Sequence, residues 1–159
     1  VPKPFTPFQW DAQNTYEEFG EKAQIVKSEI KRRQVRFTYH NTMMSSMEGV
    51  FARGDRKLSA LLYRAWQLGC RFDGWTEHFD FAKWQQAFAD TGLSMAFYAN
   101  RERSYDEVLP WEHISVGVTK KFLMNEREKA MRAETTPNCR QKCSGCGAAS
   151  FGGGVCYEV

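Results

Sequence analysis

Apolar residues recur at helical spacing in several segments of this chain, and each segment begins or ends at a recognisable cap. The first helix is predicted to begin at Thr15, which forms a capping-box pattern with Glu18 because both side chains can bond to unpaired backbone N–H groups. Cationic residues 31–33 suit the negative end of the helix dipole, so the helix is predicted to end there. Its apolar face consists of Phe19, Ala23, Val26 and Ile30.

Two helices are predicted on either side of the RGD sequence at 53–55. Ser45 and Glu48 match a second capping box, which predicts a short helix that RGD interrupts. Asp55 can cap the next helix, and Gly69 can end it, because glycine readily adopts the left-handed conformation found after many helices. The face predicted to be buried consists of Leu58, Leu61, Leu62 and Ala65.

Two more helices follow. Asp80 caps the first of them and Gly92 ends it, whereas Thr119 begins the second after a loop over residues 100–110. The apolar residues of these two helices are Phe81, Trp84 and Phe88, and then Phe122, Leu123, Ala130 and Met131.

Two segments do not have helical spacing. Residues 35–39 alternate apolar and polar side chains, which is typical of a short strand. Residues 1–10 contain three prolines and are predicted to be extended, as the end of a strand that leaves a larger body. The predicted fold is therefore mostly α, as an α+β fold with a few short strands.

Composition and charge exclude several classes. Aromatic residues make up 14% of the 159 residues, which argues for a folded body and against disorder. The formal charge of +3 permits contact with nucleic acid but is well below that of a dedicated binder. No apolar run is long enough to span a membrane, and the first residues lack a signal-peptide pattern. We therefore predict a soluble, cytoplasmic protein without a membrane partner.

Four of the five cysteines lie near the end of the chain, where Cys139, Cys143 and Cys146 are spaced C-x3-C-x2-C and Cys156 follows. A cluster of this kind in a chain without a secretory signal favours metal ligation over disulfides. Four thiolates can bind zinc or an iron–sulfur cluster, and the spacing alone leaves both open. A tail with free, reactive thiols is the alternative. The isolated Cys70 is predicted to be a small buried apolar residue.

Several other polar residues are weaker candidates. Arg53 and Asp55 can contact a substrate or a docking partner, although a helix cap and a surface ion pair explain them more simply. His78 lies among acidic residues that can bind metal or move protons, but Asp80 already has a capping role. His113, beside a tryptophan, can line a pocket or simply pack.

Aromatic residues between Phe72 and Phe88 can stack on nucleic-acid bases, but their spacing on one helix face favours a core.

Five phrases of the sequence together resemble one protein family. They are VPKPFTPFQW (1–10), EGVFARGDRKL (48–58), RFDGWTEHFDFAKW (71–84), LPWEHISVGVTKKFL (109–123) and ETTPNCRQKCSGCG (134–147). They resemble the C-terminal part of an uncharacterised bacterial family of radical S-adenosylmethionine proteins, some with an N-terminal cobalamin-binding-like region. The resemblance implies an upstream catalytic barrel in the same protein, which would bind a 4Fe-4S cluster and S-adenosylmethionine.

The resemblance also implies a division of the chain. Residues 1–14 would close the barrel or link to it, residues 15–133 would form a mainly helical body that caps the barrel, and residues 134–159 would be the metal-binding tail. The barrel and the catalytic cluster motif are absent from the sequence, so this chain alone is expected to be inactive. Substrate or barrel-docking candidates are Lys3, Thr6, Gln9, Arg53, Asp55, His78 and His113.

The cysteine tail does not match the catalytic motif of that family. The spacing of its first three cysteines is the same, but Ser144-Gly145 precedes Cys146 where those motifs have an aromatic residue, and a fourth cysteine is present. A closed structural or auxiliary site fits better.

A second hypothesis comes from a different class of protein. Basic residues 31–33, exposed aromatics and the cysteine tail together suit a non-catalytic, zinc-bearing module that interacts with RNA.

Overall fold

A computed structural model describes residues 1–152, and the regular structure of this part of the chain is entirely helical. Its α-helices are α1 (Tyr16–Glu29), α2 (Thr42–Ala52), α3 (Leu58–Gln67), α4 (Phe81–Thr91) and α5 (Lys120–Met131). A π-helical turn covers Ala96–Asn100, and a 3-10 turn covers Ala148–Phe151. The mostly helical class is confirmed.

Most of the predicted caps are present. Thr15 and Glu18 form the complete capping box of α1, with Thr15 N–H donating to Glu18 Oε2 at 2.8 Å. Asp80 Oδ1 accepts the first free N–H groups of α4, and Gly92 ends that helix with a φ of +64°. Thr119 caps α5 by accepting the N–H of Phe122. These caps form within a few residues of sequence, which is why the pattern alone predicts them.

The second capping box is wrong. Helix α2 begins at Thr42, and Asn41 Oδ1 caps it by accepting the N–H groups of Met43 and Met44 at 3.0 and 3.1 Å. Ser45 and Glu48 therefore lie inside the helix. An asparagine already satisfies the free donors one turn earlier, so no later cap is needed.

The two predicted strand segments are also wrong. Residues 35–39 are irregular, and the described part of the chain contains no strand that could pair with them. Residues 1–10 fold into turns, in which Thr6 O accepts the N–H of Gln9 and Phe8 O accepts that of Asp11. Alternating apolar and polar residues form a strand only where a second strand can pair with their backbone hydrogen-bonding groups.

One compact unit consists of Val1 and Ala12–Glu102. In this unit α1 packs on α2, α3 packs on α4, and the π-helical turn packs on α2. Leu62 was predicted to be buried but is exposed, as is Val26 of α1, whose only buried residue is Ala23. The core lies between α2, α3, α4 and the π-helical turn and includes Met47, Val50, Leu58, Leu61, Ala65, Trp84, Ala87, Phe88 and Tyr98.

The other compact unit combines Pro2–Asp11 with the chain from Arg103 onward. Helix α5 belongs to this unit, although the sequence groups it with the earlier helices. Its Ala130 and Met131 are exposed, against expectation. The core of the unit consists of Trp10, Leu109, Trp111 and Leu123.

A membrane-spanning segment was not expected, and the helices within residues 1–152 are all too short or too polar to cross a bilayer.

Candidate metal centre

The segment Cys143–Gly147 forms a tight loop around a sulfur atom. Cys146 Sγ accepts the backbone N–H of Ala148 at 3.5 Å. Gly147, with a φ of +100°, supplies the left-handed turn between Cys146 and Ala148, and Gly145, with a φ of +68°, supplies another just before Cys146. Backbone N–H groups that bond to a ligand sulfur orient it and tune the metal that it binds. The loop therefore has a local geometry that suits a metal-ligating cysteine.

This cysteine loop is anchored to the start of α5. The backbone N–H of Thr119 donates to Cys146 O at 2.9 Å. A Cβ atom at Gly147 would lie 2.8 Å from Gly117 O and 2.8 Å from Thr119 Cγ2, so only glycine fits the contact. Backbone contacts thus hold Cys146 beside the start of α5.

The entry to the cysteine segment is held by the far end of the same helix. Glu126 Oε1 accepts hydrogen bonds from Thr136 Oγ1 and Lys129 Nζ, each at 2.8 Å. The Lys129 ammonium, and then the Thr136 hydroxyl, lower the pKa of the Glu126 carboxyl from its usual value. Segment 136–147, which contains three of the predicted ligands, is therefore attached to α5 at both ends.

The thiols themselves are accessible. Cys139 and Cys143 are exposed and Cys146 is half-buried, and none of the three is in a disulfide with another described cysteine. Within residues 1–152, no three side chains of His, Cys, Asp or Glu converge closely enough to form a metal site. Cys156 lies outside the described residues. The four-thiol ligand set stays a prediction, supported by donor type, spacing and the N–H···S contact at Cys146.

Cys70 is buried, as predicted, in the core of the 12–102 unit. Burial, and then the negative charge of Asp73, raises the pKa of its thiol. A buried thiol of raised pKa is a poor metal ligand and nucleophile.

The N-terminal docking candidates have mainly structural contacts. Gln9 is buried, and its Oε1 accepts the backbone N–H of Phe5 at 3.0 Å and the Trp111 Nε1–H at 2.8 Å. Thr6 Oγ1 donates to the carbonyl of Lys3 at 2.7 Å. Only Lys3 of the three is exposed.

Arg53 is expected at the surface but lies in the interior of the 12–102 unit. Its side chain is fully buried, and its guanidinium donates to the carbonyls of Ala99 at 3.0 Å and Arg101 at 3.4 Å. The predicted cap of α3 by Asp55 is wrong, because the helix begins after Lys57 and has no side-chain cap. Asp55 Oδ1 instead accepts the N–H of Lys57 at 2.9 Å and the Tyr98 hydroxyl at 3.1 Å. Burial, and then Asp55, raises the pKa of Tyr98.

The histidine candidates are both exposed. The ring of His78 lies 6.0 Å from that of Phe72, and two of the acids near it in sequence have other partners. Asp80 caps α4, and Asp73 Oδ1 accepts the indole N–H of Trp84 at 3.1 Å. Asp73 and Asp80, two acids of the acid–histidine cluster predicted from the sequence, thus make local structural contacts instead.

Sequence reasoning missed a polar network in the second unit. Arg127 Nε donates to Asp11 Oδ1 at 2.7 Å, and its Nη1 donates to the Tyr105 hydroxyl at 3.0 Å. That hydroxyl in turn donates to Glu128 Oε1 at 2.7 Å. Burial is the main cause of the raised pKa of Tyr105. The partners are far apart in sequence, and no local pattern marks them.

Comparison with models of known protein families, with curated proteins and with solved structures gives no match to this chain.

Proposed function

We propose that residues 134–159 bind a metal centre through Cys139, Cys143, Cys146 and Cys156, as zinc or as an auxiliary iron–sulfur cluster. The observation that carries this proposal is the anchored loop at Cys146, whose sulfur accepts a backbone N–H and whose carbonyl is bonded to Thr119. A loop that is already turned around its sulfur loses little conformational entropy when the metal binds.

The chain's own residues have distinct parts in this site. Ala148 and Thr119 orient Cys146, while Glu126 holds Thr136 at the entry to the segment. Exposed Cys139 and Cys143 remain available to approach an ion. A bound zinc would only order the tail, whereas a cluster would also pass electrons or anchor a substrate.

The proposal extends to the protein of which this chain would be the C-terminal region. We propose that it is a cytoplasmic radical S-adenosylmethionine enzyme of unassigned substrate, in which the helical body caps an upstream barrel. The resemblance of the five phrases quoted above supports this assignment. The barrel would bind the 4Fe-4S cluster and S-adenosylmethionine, and the fragment would be inactive without it.

Metal analysis tests the centre directly. The chain is purified without oxygen, and iron, acid-labile sulfide and zinc are measured per chain, with a visible spectrum before and after cluster reconstitution. We expect stoichiometric iron and sulfide with a thiolate-to-iron band, or one zinc per chain. Cys143→Ala should lose the metal, whereas Ser144→Ala in the same loop and the buried Cys70→Ala should keep it. Absence of both metals from the wild-type chain would contradict the proposal.

The radical-enzyme assignment needs a separate test. The longer protein is reduced with dithionite in the presence of S-adenosylmethionine, and 5′-deoxyadenosine is measured. We expect cleavage in the wild type and in Cys143→Ala, because the upstream cluster would carry it out. If the wild-type protein contains the upstream 4Fe-4S cluster but does not cleave S-adenosylmethionine, the radical-enzyme assignment is excluded. The proposal of a metal centre at the cysteines is unaffected by that result.

A further inference from the structure

Four large aromatic side chains of the 12–102 unit lie at its surface. Tyr63 and Trp66 of α3, with Phe72 and Trp75 of the following loop, are 53–69% exposed. The sequence predicted that Phe72 belongs to a core stripe with Trp84 and Phe88, but only the latter two are buried. We call these four residues and Arg71 the aromatic surface. Side chains of this size and exposure in one short stretch of sequence mark a binding site more often than scattered single residues do.

The rings form two pairs, and Arg71 contacts one of them. Tyr63 and Trp66 are stacked with centroids 5.8 Å apart and planes inclined by 17°. The Arg71 guanidinium lies 4.9 Å from the Trp66 centroid, and Phe72 meets Trp75 at 6.0 Å. The surface therefore presents exposed aromatic rings beside one positive charge.

Arg71 is held in place by backbone carbonyls. Its Nη1 donates to the carbonyls of Trp66 and Cys70, each at 2.7 Å. Among the residues that the structure describes, its Nε and Nη2 groups make no hydrogen bond. Those N–H groups are available to a phosphate, which arginine binds well because its donors are fixed in a planar fork.

The backbone at Phe72 is strained. Its φ of +56° is in the left-handed region, which is unusual for a bulky residue. The conformation is fixed by a turn in which Phe72 O accepts the N–H of Trp75 at 3.0 Å. Strained backbone conformations of this kind cluster at binding sites, where they hold a side chain in position for a ligand. Here it coincides with an aromatic ring that is 69% exposed.

A polar groove of about 700 Å³ adjoins the aromatic surface. Its volume is within the range of small-ligand sites, roughly 300–1,000 Å³. It is lined by the aromatic ring of Phe72 and by charged and polar side chains that can bond to base edges, ribose and phosphate, among them Asn41, Arg71, Glu77, His78 and Lys83.

We propose that the aromatic surface and this groove bind single-stranded RNA. Bases would stack on Trp66, Phe72 and Trp75, because every base has a π-face and such stacking tolerates any sequence. A phosphate would bond to Arg71, and the ribose 2′-hydroxyl would find donors and acceptors in the groove. This binding involves neither the cysteines nor the metal centre proposed above.

The charges of the site indicate how binding responds to salt. Arg71 and Lys83 are its cations, and Lys83 Nζ already lies 3.5 Å from Asp80 Oδ2. No more than about two phosphates can be neutralised, so the slope of log K against log salt concentration should be no steeper than about −1.4. Stacking, rather than charge, should supply most of the affinity.

The test is fluorescence anisotropy with a labelled oligouridine of about 12 nucleotides, a length within the range of single-stranded sites. Wild-type protein should bind it, and Trp66→Ala and Trp75→Ala should each weaken binding about 10-fold. Trp75→Phe should bind nearly as well as wild type, whereas Trp75→Leu should be as weak as Trp75→Ala. The Leu variant keeps apolar area but lacks a flat face, so it separates base stacking from docking of a protein.

Phe97→Ala is the matched control, because Phe97 is also exposed and also lies under an arginine, with Arg101 at 4.5 Å from its centroid. This variant should bind RNA like wild type. The proposal is overturned if wild-type protein does not bind the oligonucleotide at about 100 μM, which is the weak limit of typical non-specific binding. It is equally overturned if the tryptophan variants bind normally, if Trp75→Leu retains affinity, or if the matching single-stranded DNA binds equally well.

Discussion

The carbonyl of Cys146 accepts the backbone N–H of Thr119 at 2.9 Å, so the residue that caps α5 also holds the cysteine loop. The two roles of Thr119 use different atoms. Its Oγ1 accepts the N–H of Phe122 at 3.2 Å, whereas its backbone N–H belongs to the loop. The start of the helix and the position of a predicted ligand are therefore coupled through one residue.

This division of roles predicts different effects for two substitutions at position 119. Thr119→Ala removes only the cap and should lower the free energy of unfolding by about 1 kcal/mol. Thr119→Pro removes the cap and the N–H, and the φ of −73° at this position already suits proline. Urea denaturation should show similar losses of stability for the two variants. Metal content should show a weaker metal affinity for Thr119→Pro alone. Equal metal affinities would mean that the backbone contact does not position Cys146.

Gly147 and Gly145 form a matched pair for a second prediction. Both have positive φ, but a Cβ at Gly147 would clash with Gly117 O, whereas one at Gly145 meets nothing within 4 Å. Gly145→Ala should therefore show only backbone strain, about 1 kcal/mol. Gly147→Ala should in addition displace the cysteine loop from α5. We expect it to lose zinc or iron at chelator concentrations that Gly145→Ala withstands, as measured by competition with a metallochromic dye.

Arg53 gives a third prediction, which separates a structural role from docking. Its buried guanidinium donates to the carbonyl of Ala99 in the π-helical turn and to that of Arg101 just after it. Arg53→Leu leaves these carbonyls without that donor and should lower the free energy of unfolding by about 2–4 kcal/mol, measured in urea. Arg56→Leu, three residues further along and exposed, should change it by less than about 0.5 kcal/mol. Normal stability of Arg53→Leu would restore Arg53 as a docking candidate.

The sequence predicts most of the helix caps better than it predicts the contacts of single polar residues. Asp80 and Thr15 act on N–H groups within three residues, so their role is visible locally. Arg53 and Ala99 are 46 positions apart, and Arg127 and Asp11 are 116 apart, so only the folded chain brings them together. Cysteine spacing indicates a metal site because ligand type carries the chemistry.

The errors have physical causes of the same kind. Asn41 and Ser45 are both good caps one turn apart, and the sequence pattern does not rank them. Exposure of Phe72 depends on a left-handed backbone that apolar periodicity does not reveal.

Acid should release the entry of the cysteine segment from α5. Hydrogen bonds from Lys129 and Thr136 lower the pKa of Glu126 below its ordinary value of 4.5. Because the folded pKa is lower than the unfolded one, this carboxylate stabilises the fold fully above pH 4.5, and the effect is lost as the pH falls through the folded pKa. Glu126 and Lys129 are both partly exposed, so solvent screening limits the contribution to less than about 1 kcal/mol.

Glu126→Gln isolates this contribution, because glutamine can still accept the Thr136 hydrogen bond but does not titrate in acid. The free energy of unfolding, measured in urea at several pH values from neutral to 3, should fall less steeply with decreasing pH for Glu126→Gln than for wild type. Glu21→Gln is the control, since Glu21 is exposed on α1, away from the cysteine segment in sequence. Mass-spectrometric alkylation of Cys139 and Cys143 should also respond, becoming faster in Glu126→Gln if the charge is what holds Thr136. Identical acid profiles for wild type and Glu126→Gln would show that Thr136 is held by other contacts.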